Sequence, residues 1–284
     1  VIPGGPSEKI GLQPGDRILK VDDKNIAGVR FPQDSMVRKM RGPSGSKVML
    51  TVLRDGEKVP FEITRGKIPV NSVDAAFMVN DTTGYLRLGK FARTTYTEVL
   101  QSSLKLKEQG MKRLIFDLRD NGGGYVSAAK DLLSLWIDGD AICIQKSKFG
   151  DNTTYANHGK AILSDIETVV LVNGNTASAS EIVAGHLRDT GRAVVLGDER
   201  THGKGTVQTV LGMGPEKYGS TKITTARFYR VNGRSTQVGG VESDIHLPSF
   251  LDSLDIGEDK LPNALPFTRL KGYAARKVWN LDTY

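Results

Sequence analysis

Apolar and polar residues alternate with a two-residue period in the first part of the chain. The stretch RILKV at residues 17–21 has this period, and so do VMLTVLR and VPFEITR further along. The last two flank Asp55-Gly56, a dipeptide typical of tight turns, and therefore predict a β-hairpin. Residues 32–40, between RILKV and the hairpin, predict a short helix. This pattern predicts a small β-rich module over residues 1–66.

Beyond a linker near GKIPVNSV, apolar strand-like runs alternate with longer segments of helical period. Strands are predicted at residues 84–91, 112–119, 167–173, 192–198 and 222–231, and helices at 94–109, 125–137 and 179–189. Strands and helices alternating at these lengths predict an α/β fold with a mainly parallel sheet and helical crossovers. We expect this main domain at residues 67–248 and a C-terminal tail, without clear period, wrapping around it at residues 249–284.

Charge and composition exclude some classes of protein. The 284 residues carry 39 Lys and Arg against 32 Asp and Glu, and this excess of +7 is spread along the chain without a nucleic-acid-reading motif. We therefore expect no nucleic-acid partner. Every apolar run is shorter than the roughly 18 residues of a membrane-spanning helix, so we expect no span. The single cysteine, Cys143, rules out an intrachain disulfide, and its apolar context AICIQ predicts a buried, inert thiol.

Three turns rich in glycine or serine follow predicted strands, where sites of α/β sheets are usually found. The first is DLRDNGGGY at residues 117–125. Three successive glycines allow the backbone to aim its N–H groups at a ligand oxygen, although they also fit a plain tight turn. The stretch does not match G-x-G-x-x-G, so a dinucleotide site is not predicted.

The second turn is GNTASASEI at residues 174–182, which leads into a predicted helix. Ser178 and Glu181 have the spacing of a capping box, in which each side chain accepts a backbone N–H of the other residue. A serine at a helix N-terminus also lies where the helix dipole stabilises an anion. The N–H of Ala179 could then donate to an oxyanion, so both interpretations stay open on this stretch alone.

The third turn, THGKGTVQ at residues 201–208, is not a phosphate-binding loop. Lys204 is followed by Gly205 rather than Ser or Thr, and no glycine stands five residues before Gly203. Together the three turns offer a serine nucleophile, a lysine base and backbone donors, the components of a Ser-Lys dyad. The alternative bases are four histidines without a shared motif, of which His202 is nearest to Lys204 in sequence: His158, His186, His202 and His246.

The N-terminal module resembles a PDZ domain of the bacterial protease type in its GLQPGD, RGPSGSKV and FEIT segments. Such domains bind C-terminal peptides as an added strand. The loop and strand that hold the peptide carboxylate in this family would precede Val1, so we expect an N-terminally truncated PDZ domain at residues 1–66 with weak peptide binding by this chain alone. The chain also opens without a basic and apolar leader, so we expect a fragment whose export signal lies upstream.

The motifs DLRDNGGG, TASASEI, GKGTVQ and RFYRVNGRSTQVGGVESDI, in this order, closely resemble the C-terminal processing or tail-specific serine proteases. The resemblance implies a crotonase-like core, a spiral of ββα units, and no metal or other cofactor. It implies these roles: Ser178 as nucleophile, Lys204 as base, Gln208 orienting the lysine, Ala179 with Gly123 or Gly124 as oxyanion donors, and Glu181 as a supporting residue.

What the resemblance implies is a serine endopeptidase acting through an acyl-enzyme on proteins with unstructured apolar C-termini, threaded past the PDZ module. An adaptor protein is a further candidate partner. The NALPF tail is most similar to the tail-specific branch of the Gram-negative periplasm, which implies that location. The alternatives are a catalytically idle PDZ scaffold or substrate-holding adaptor, and a crotonase-type acyl-CoA enzyme.

The chain departs from the family pattern G-E-x-T-F-G-K-G before the lysine. The segment from Gly197 to Lys204 has one extra residue, and His202 stands in place of phenylalanine. We expect the loop to absorb the extra residue, because KGTVQ downstream is intact.

Overall fold

The structure is a computed structural model that describes residues 1–271 except residue 3 and residues 69–70, 148–149, 156–160 and 215–218. The chain divides into two compact units, Val1–Val70 and Asn71–Tyr284. No helix in the described part of the chain is both long and apolar enough to cross a bilayer.

Unit 1 is a four-stranded antiparallel sheet with two helices. Its elements are α1 (Pro6–Lys9), β1 (Arg17–Val21), β2 (Lys24–Asn25), α2 (Gln33–Met40), β3 (Lys47–Arg54) and β4 (Glu57–Thr64), with strand order β2-β1-β3-β4. Val21, Val48 and Leu50 are buried in its core because the two-residue period places them on one face. At the hairpin turn, Asp55 and Gly56 have φ of 50° and 85°, as a type I′ turn requires. The predicted strand, helix and hairpin are confirmed.

Unit 2 contains a six-stranded sheet in the order β14-β11-β10-β7-β6-β5. Its strands are β5 (Val73–Met78), β6 (Thr83–Leu88), β7 (Arg113–Asp117), β10 (Glu167–Val172), β11 (Ala193–Gly197) and β14 (Ile245–His246), and its helices are α3 (Thr95–Glu108), α4 (Val126–Leu133) and α5 (Ala179–Asp189). All neighbouring pairs are parallel except β5 with β6. The predicted parallel sheet with helical crossovers is therefore confirmed for this part of the fold.

A second sheet of unit 2 is antiparallel throughout, with order β12-β13-β8-β9. Its strands are β8 (Ala141–Ser147), β9 (Gly150–Tyr155), β12 (Thr206–Gly212) and β13 (Ser220–Arg230). The strand predicted at 222–231 exists, but it pairs antiparallel with β8 and β12. Its predicted place in the parallel sheet is therefore wrong. The sequence did not predict β12, because its residues from Gln208 to Gly212 are all exposed and show no alternation.

The core of unit 2 lies between the parallel sheet and its helices. Phe116 on β7 packs against Trp136, whose Nε1 donates to Thr168 Oγ1 at 3.0 Å. Cys143 is 1% exposed, which confirms its predicted burial. After residue 248 the chain forms two 3-10 turns, Phe250–Ser253 and Glu258–Lys260. Further along this segment, the backbone oxygen of Thr268 accepts the N–H of Ser235 in the core at 3.1 Å.

Candidate active site

The three turns singled out in the sequence meet at one edge of the parallel sheet. They follow the carboxyl ends of β7, β10 and β11, which are neighbouring parallel strands. Ala177 N–H donates to Asn121 O at 3.0 Å, which joins the second turn to the first. His202 N–H donates to Thr176 O at 2.9 Å, which joins the third turn to the second.

Ser178 has an uncommon backbone conformation for a non-glycine residue. Its φ is 60° and its ψ is −115°, directly before α5 begins at Ala179. The predicted capping box is present, and Ser178 N–H donates to Glu181 Oε2 at 2.7 Å. Such a conformation costs about 1–3 kcal/mol and persists only where the surrounding structure enforces it, as commonly at functional sites.

Asn121 organises the glycine turn and was not singled out from the sequence. It is fully buried, and its backbone oxygen accepts from Ala177 N–H at 3.0 Å and from Ser180 Oγ at 2.9 Å. Its Oδ1 accepts from Gly123 N–H at 2.9 Å, while its Nδ2 donates to Leu88 O at 2.7 Å. The bond to a backbone two residues on is typical of Asn in turns, and this signal was available in the sequence.

The two candidate oxyanion glycines pack against different neighbours. Gly123, at φ 93°, lies against the serine turn, because a Cβ there would approach Ala177 O to 2.7 Å and Ala179 N to 2.8 Å. Gly124, at φ 149°, lies against Phe91 instead, where a Cβ would clash with the carbonyl oxygen. Of the two, Gly123 therefore lies beside Ser178, but its own N–H already donates to Asn121 Oδ1.

The lysine loop, residues 202–205, has a partner for every backbone N–H and C=O group. The N–H groups donate to Thr176 O, Glu181 Oε1, Glu181 Oε2 and Gln237 Oε1 in turn, and the oxygens accept from Glu258 N, Val238 N, Thr236 Oγ1 and Phe228 N. Close approach requires its glycines: a Cβ would lie 2.8 Å from Val238 O at Gly203 and 2.5 Å from Gln237 N at Gly205. The loop is therefore fixed by hydrogen bonds along its whole length.

Lys204 is half-buried, and its Nζ donates to Gln208 Oε1 at 3.3 Å at the start of β12. Burial lowers the pKa of Lys204, and the nearby ammonium of Lys222 lowers it further. The carboxylates of Glu258 and Glu181 act in the opposite direction and raise this pKa. The balance favours a lysine that loses its proton more readily than an exposed one.

Glu181 joins the serine turn to the lysine loop. Its Oε2 accepts from Ser178 N–H at 2.7 Å and from Lys204 N–H at 2.9 Å, and its Oε1 accepts from Gly203 N–H at 2.8 Å and from Thr201 Oγ1 at 2.6 Å. The side chain is fully buried, and burial raises its pKa to about 7 against the opposing effect of these four donors.

The described histidines have partners other than Ser178. His186 is buried on α5 with Nδ1 3.3 Å from Ile142 O, and burial lowers its pKa to about 4. His202 lies with Nε2 3.7 Å from Glu258 Oε2, and His246 lies 3.2 Å from Asp252. His158 lies outside the described residues. In the part of the chain that the structure describes, no cluster of three His, Cys, Asp or Glu could hold a metal ion.

Comparison with known proteins relates both units to one family of proteases. Residues 82–247 match the model of peptidase family S41, and residues 1–54 match that of a PDZ domain. A carboxyl-terminal-processing protease of Synechocystis sp. is 38% identical over 73% of this chain and 49% of its own length. A tail-specific protease of Haemophilus influenzae is 30% identical over 99% of this chain and 43% of its own length. The chain thus spans about half the length of these relatives.

A solved structure agrees with this relationship. The photosystem II D1 C-terminal processing protease superposes with a TM-score of 0.55 at 32% identity, over 87% of this chain and 66% of that one. The family model covers more than half of the present chain and includes all three turns of the candidate site. The chain therefore belongs to peptidase family S41.

Proposed function

We propose that this protein is a serine endopeptidase of the C-terminal processing type, acting through a dyad of Ser178 and Lys204. The observation that carries the proposal is the double contact on Glu181 Oε2, which accepts the N–H groups of both Ser178 and Lys204. One buried oxygen thereby holds the nucleophile turn and the base loop at a single point.

In the proposed mechanism neutral Lys204 removes the proton from Ser178 Oγ as that oxygen attacks the scissile carbonyl carbon. The resulting oxyanion is stabilised by the N–H of Ala179 and by that of Gly123 or Gly124, and the Gly123 N–H must first leave Asn121 Oδ1 to take this part. Lys204 then returns the proton to the leaving amine, and the acyl-enzyme forms. Water hydrolyses the ester with Lys204 again as base, while Gln208 orients the amine by accepting from Nζ.

The proposed fold of the core is a crotonase-like spiral of ββα units. Its support is the order of the parallel strands, since β6, β7, β10 and β11 are successive neighbours in the sheet. The helices α3, α4 and α5 lie between these strands in sequence. The complete backbone pairing of the lysine loop supports our expectation that the extra residue before Lys204 is absorbed there.

Unit 1 is proposed to select substrates by their C-terminal tails. It contains a cavity of about 450 Å³ lined mainly by apolar side chains, among them Val37 and Met40 of α2 and Leu50 and Ile63 of the sheet. An apolar cavity beside a helix and a sheet suits an extended apolar peptide. The proposed substrates are accordingly proteins with unstructured apolar C-termini. The proposed location is the periplasm, on the resemblance of the NALPF tail to the tail-specific branch.

A fluorophosphonate probe tests the proposal directly. The probe should label wild-type protein, and wild type should hydrolyse an unfolded protein ending in apolar residues faster than one ending in charged residues. A PDZ scaffold or adaptor would bind the first protein without labelling or cleavage. An acyl-CoA enzyme would act on a thioester and leave both proteins intact.

Glu181→Gln is expected to lower kcat by about 10- to 100-fold, the scale of a displacement near 1 Å at an active site. The amide keeps one acceptor oxygen, so its NH₂ group faces two of the four present donors and loosens the lysine loop, alone or together with the serine turn. The measurement is kcat and KM on the apolar-tailed substrate. A variant with wild-type kcat would contradict the positioning role.

The same variant has a signature in stability. Burial raises the pKa of Glu181 from 4.5 to about 7, so the folded state binds this proton more strongly than the unfolded state. The resulting stabilisation is complete below pH 4.5 and is lost as pH rises toward 7. We expect urea unfolding between these limits to show this loss in wild type, and its absence in Glu181→Gln.

Gly123→Ala is expected to lower kcat/KM by about 10²-fold, because the new methyl group would displace the serine turn. A Cβ at residue 123 would lie 2.9 Å from Ser178 Cβ, and the positive φ adds strain of about 1–3 kcal/mol. Gly122→Ala is the matched control, since a Cβ there meets open space. Equal activity of the two variants would show that Gly123 does not shape the site.

A further inference from the structure

The C-terminal segment reaches the lysine loop through the 3-10 turn Glu258–Lys260. Glu258 N–H donates to His202 O at 2.8 Å, which fixes the start of the loop. Asp259 accepts from Arg200 at 2.9 Å, two residues before His202. This turn lies beyond the 82–247 range that matches the peptidase family model.

Gln237 connects this turn to the other end of the loop. Its side chain is fully buried, its Oε1 accepts from Gly205 N–H at 3.0 Å, and its Nε2 donates to Glu258 Oε1 at 3.0 Å. The amide therefore has one orientation that satisfies both neighbours. Glu258 and Gln237 thus hold the residues on either side of Gly203 and Lys204, whose N–H groups Glu181 binds.

We propose that Gln237 and Glu258 are positioning residues for the base, holding the lysine loop so that Lys204 stays aligned with Ser178. This inference rests on the proposed dyad. It gives the C-terminal segment a positioning role, because Glu258 donates its backbone N–H to the loop and its carboxylate accepts from Gln237, which itself binds the loop.

The charge of Glu258 gives this role a signature that simple packing would lack. The charged groups acting on Lys204 come from three elements: Glu181 of α5, Lys222 of β13 and Glu258 of the turn. His202 of the same loop faces Glu258, with Nε2 3.7 Å from Oε2. Glu258 raises the pKa of Lys204, so removing its charge lowers the pH at which the amine becomes neutral. The rise of activity with pH should then move to lower pH.

Three variants separate positioning from charge, and a fourth serves as control. Gln237→Ala and Glu258→Ala should lower kcat by about 10- to 100-fold and leave KM within about twofold, because the base is displaced but substrate binding is not. Glu258→Gln keeps an acceptor for Gln237, so its maximal kcat should stay within about threefold while its pH profile shifts. Asp255→Asn, on an exposed side chain of the same segment, should change neither.

Wild-type kcat in both alanine variants, with an unshifted profile in Glu258→Gln, would overturn the inference. If the alanine variants fail to fold, an unshifted profile in Glu258→Gln overturns it alone. If wild type shows no hydrolysis, or shows hydrolysis that Ser178→Ala does not remove, the result contradicts the proposed function and not this inference. The titration of Lys204 followed by NMR, with and without Glu258→Gln, would then still decide the inference: an unchanged pKa rejects it.

Discussion

Ser178→Ala is expected to abolish peptide hydrolysis, with kcat falling by about 10⁴-fold or more, as for other serine nucleophiles. The substitution removes the attacking oxygen, so no acyl-enzyme can form. The fold should survive, because the Glu181 carboxylate binds the backbone N–H of residue 178, which the substitution keeps. Loss of a serine cap costs only about 0.5–2 kcal/mol.

The measurement combines hydrolysis of an apolar-tailed unfolded protein, fluorophosphonate labelling and the urea midpoint. Ser180→Ala serves as control, since Ser180 Oγ donates to Asn121 O at 2.9 Å and has a structural partner. Thr176 Oγ1 likewise donates to Leu118 O at 2.9 Å. A Ser178→Ala protein that cleaves at the wild-type rate would remove Ser178 from the mechanism. The hydroxyls of Ser180 and Thr176 would then be the next candidates for the nucleophile.

Lys204→Arg and Lys204→Ala should both be inactive, with losses of about 10³-fold or more in kcat. Arginine keeps the positive charge but cannot lose its proton, and alanine has no base to offer. Because burial and Lys222 lower the pKa of Lys204, wild-type kcat/KM should rise with pH as the amine becomes neutral.

Gln208→Glu tests the same base by a change of charge. A carboxylate beside Nζ would stabilise the ammonium and raise the pKa of Lys204, so the rise of activity should move to higher pH. The measurement is the pH profile of kcat/KM for wild type and these variants. An active Lys204→Arg enzyme, together with an inactive His202→Ala enzyme, would transfer the base to His202.

Local patterns were sufficient for the parallel sheet and for the motifs at its edge. The strands around Leu114, Val170 and Val195 are short apolar runs separated by helical periods, and each is followed by a turn with special chemistry. Parallel strands place their carboxyl ends together, so the sequence already predicted that the serine, lysine and glycine turns would meet.

The second sheet and the polar contacts around the candidate site depend on long-range contacts, which local periodicity does not encode. The strand β12 is exposed over most of its length, so it owes its conformation to the ladder with β13 rather than to an apolar face. In the sequence, Gln237 and Glu258 look like ordinary polar residues, and Asn121 shows only the turn preference of its residue type. They acquire their roles because folding brings Asn121 Nδ2 to Leu88 O, Gln237 Oε1 to Gly205 N–H and Glu258 N–H to His202 O. These backbone groups lie 32 or more residues away in sequence and must find hydrogen-bond partners once water is excluded.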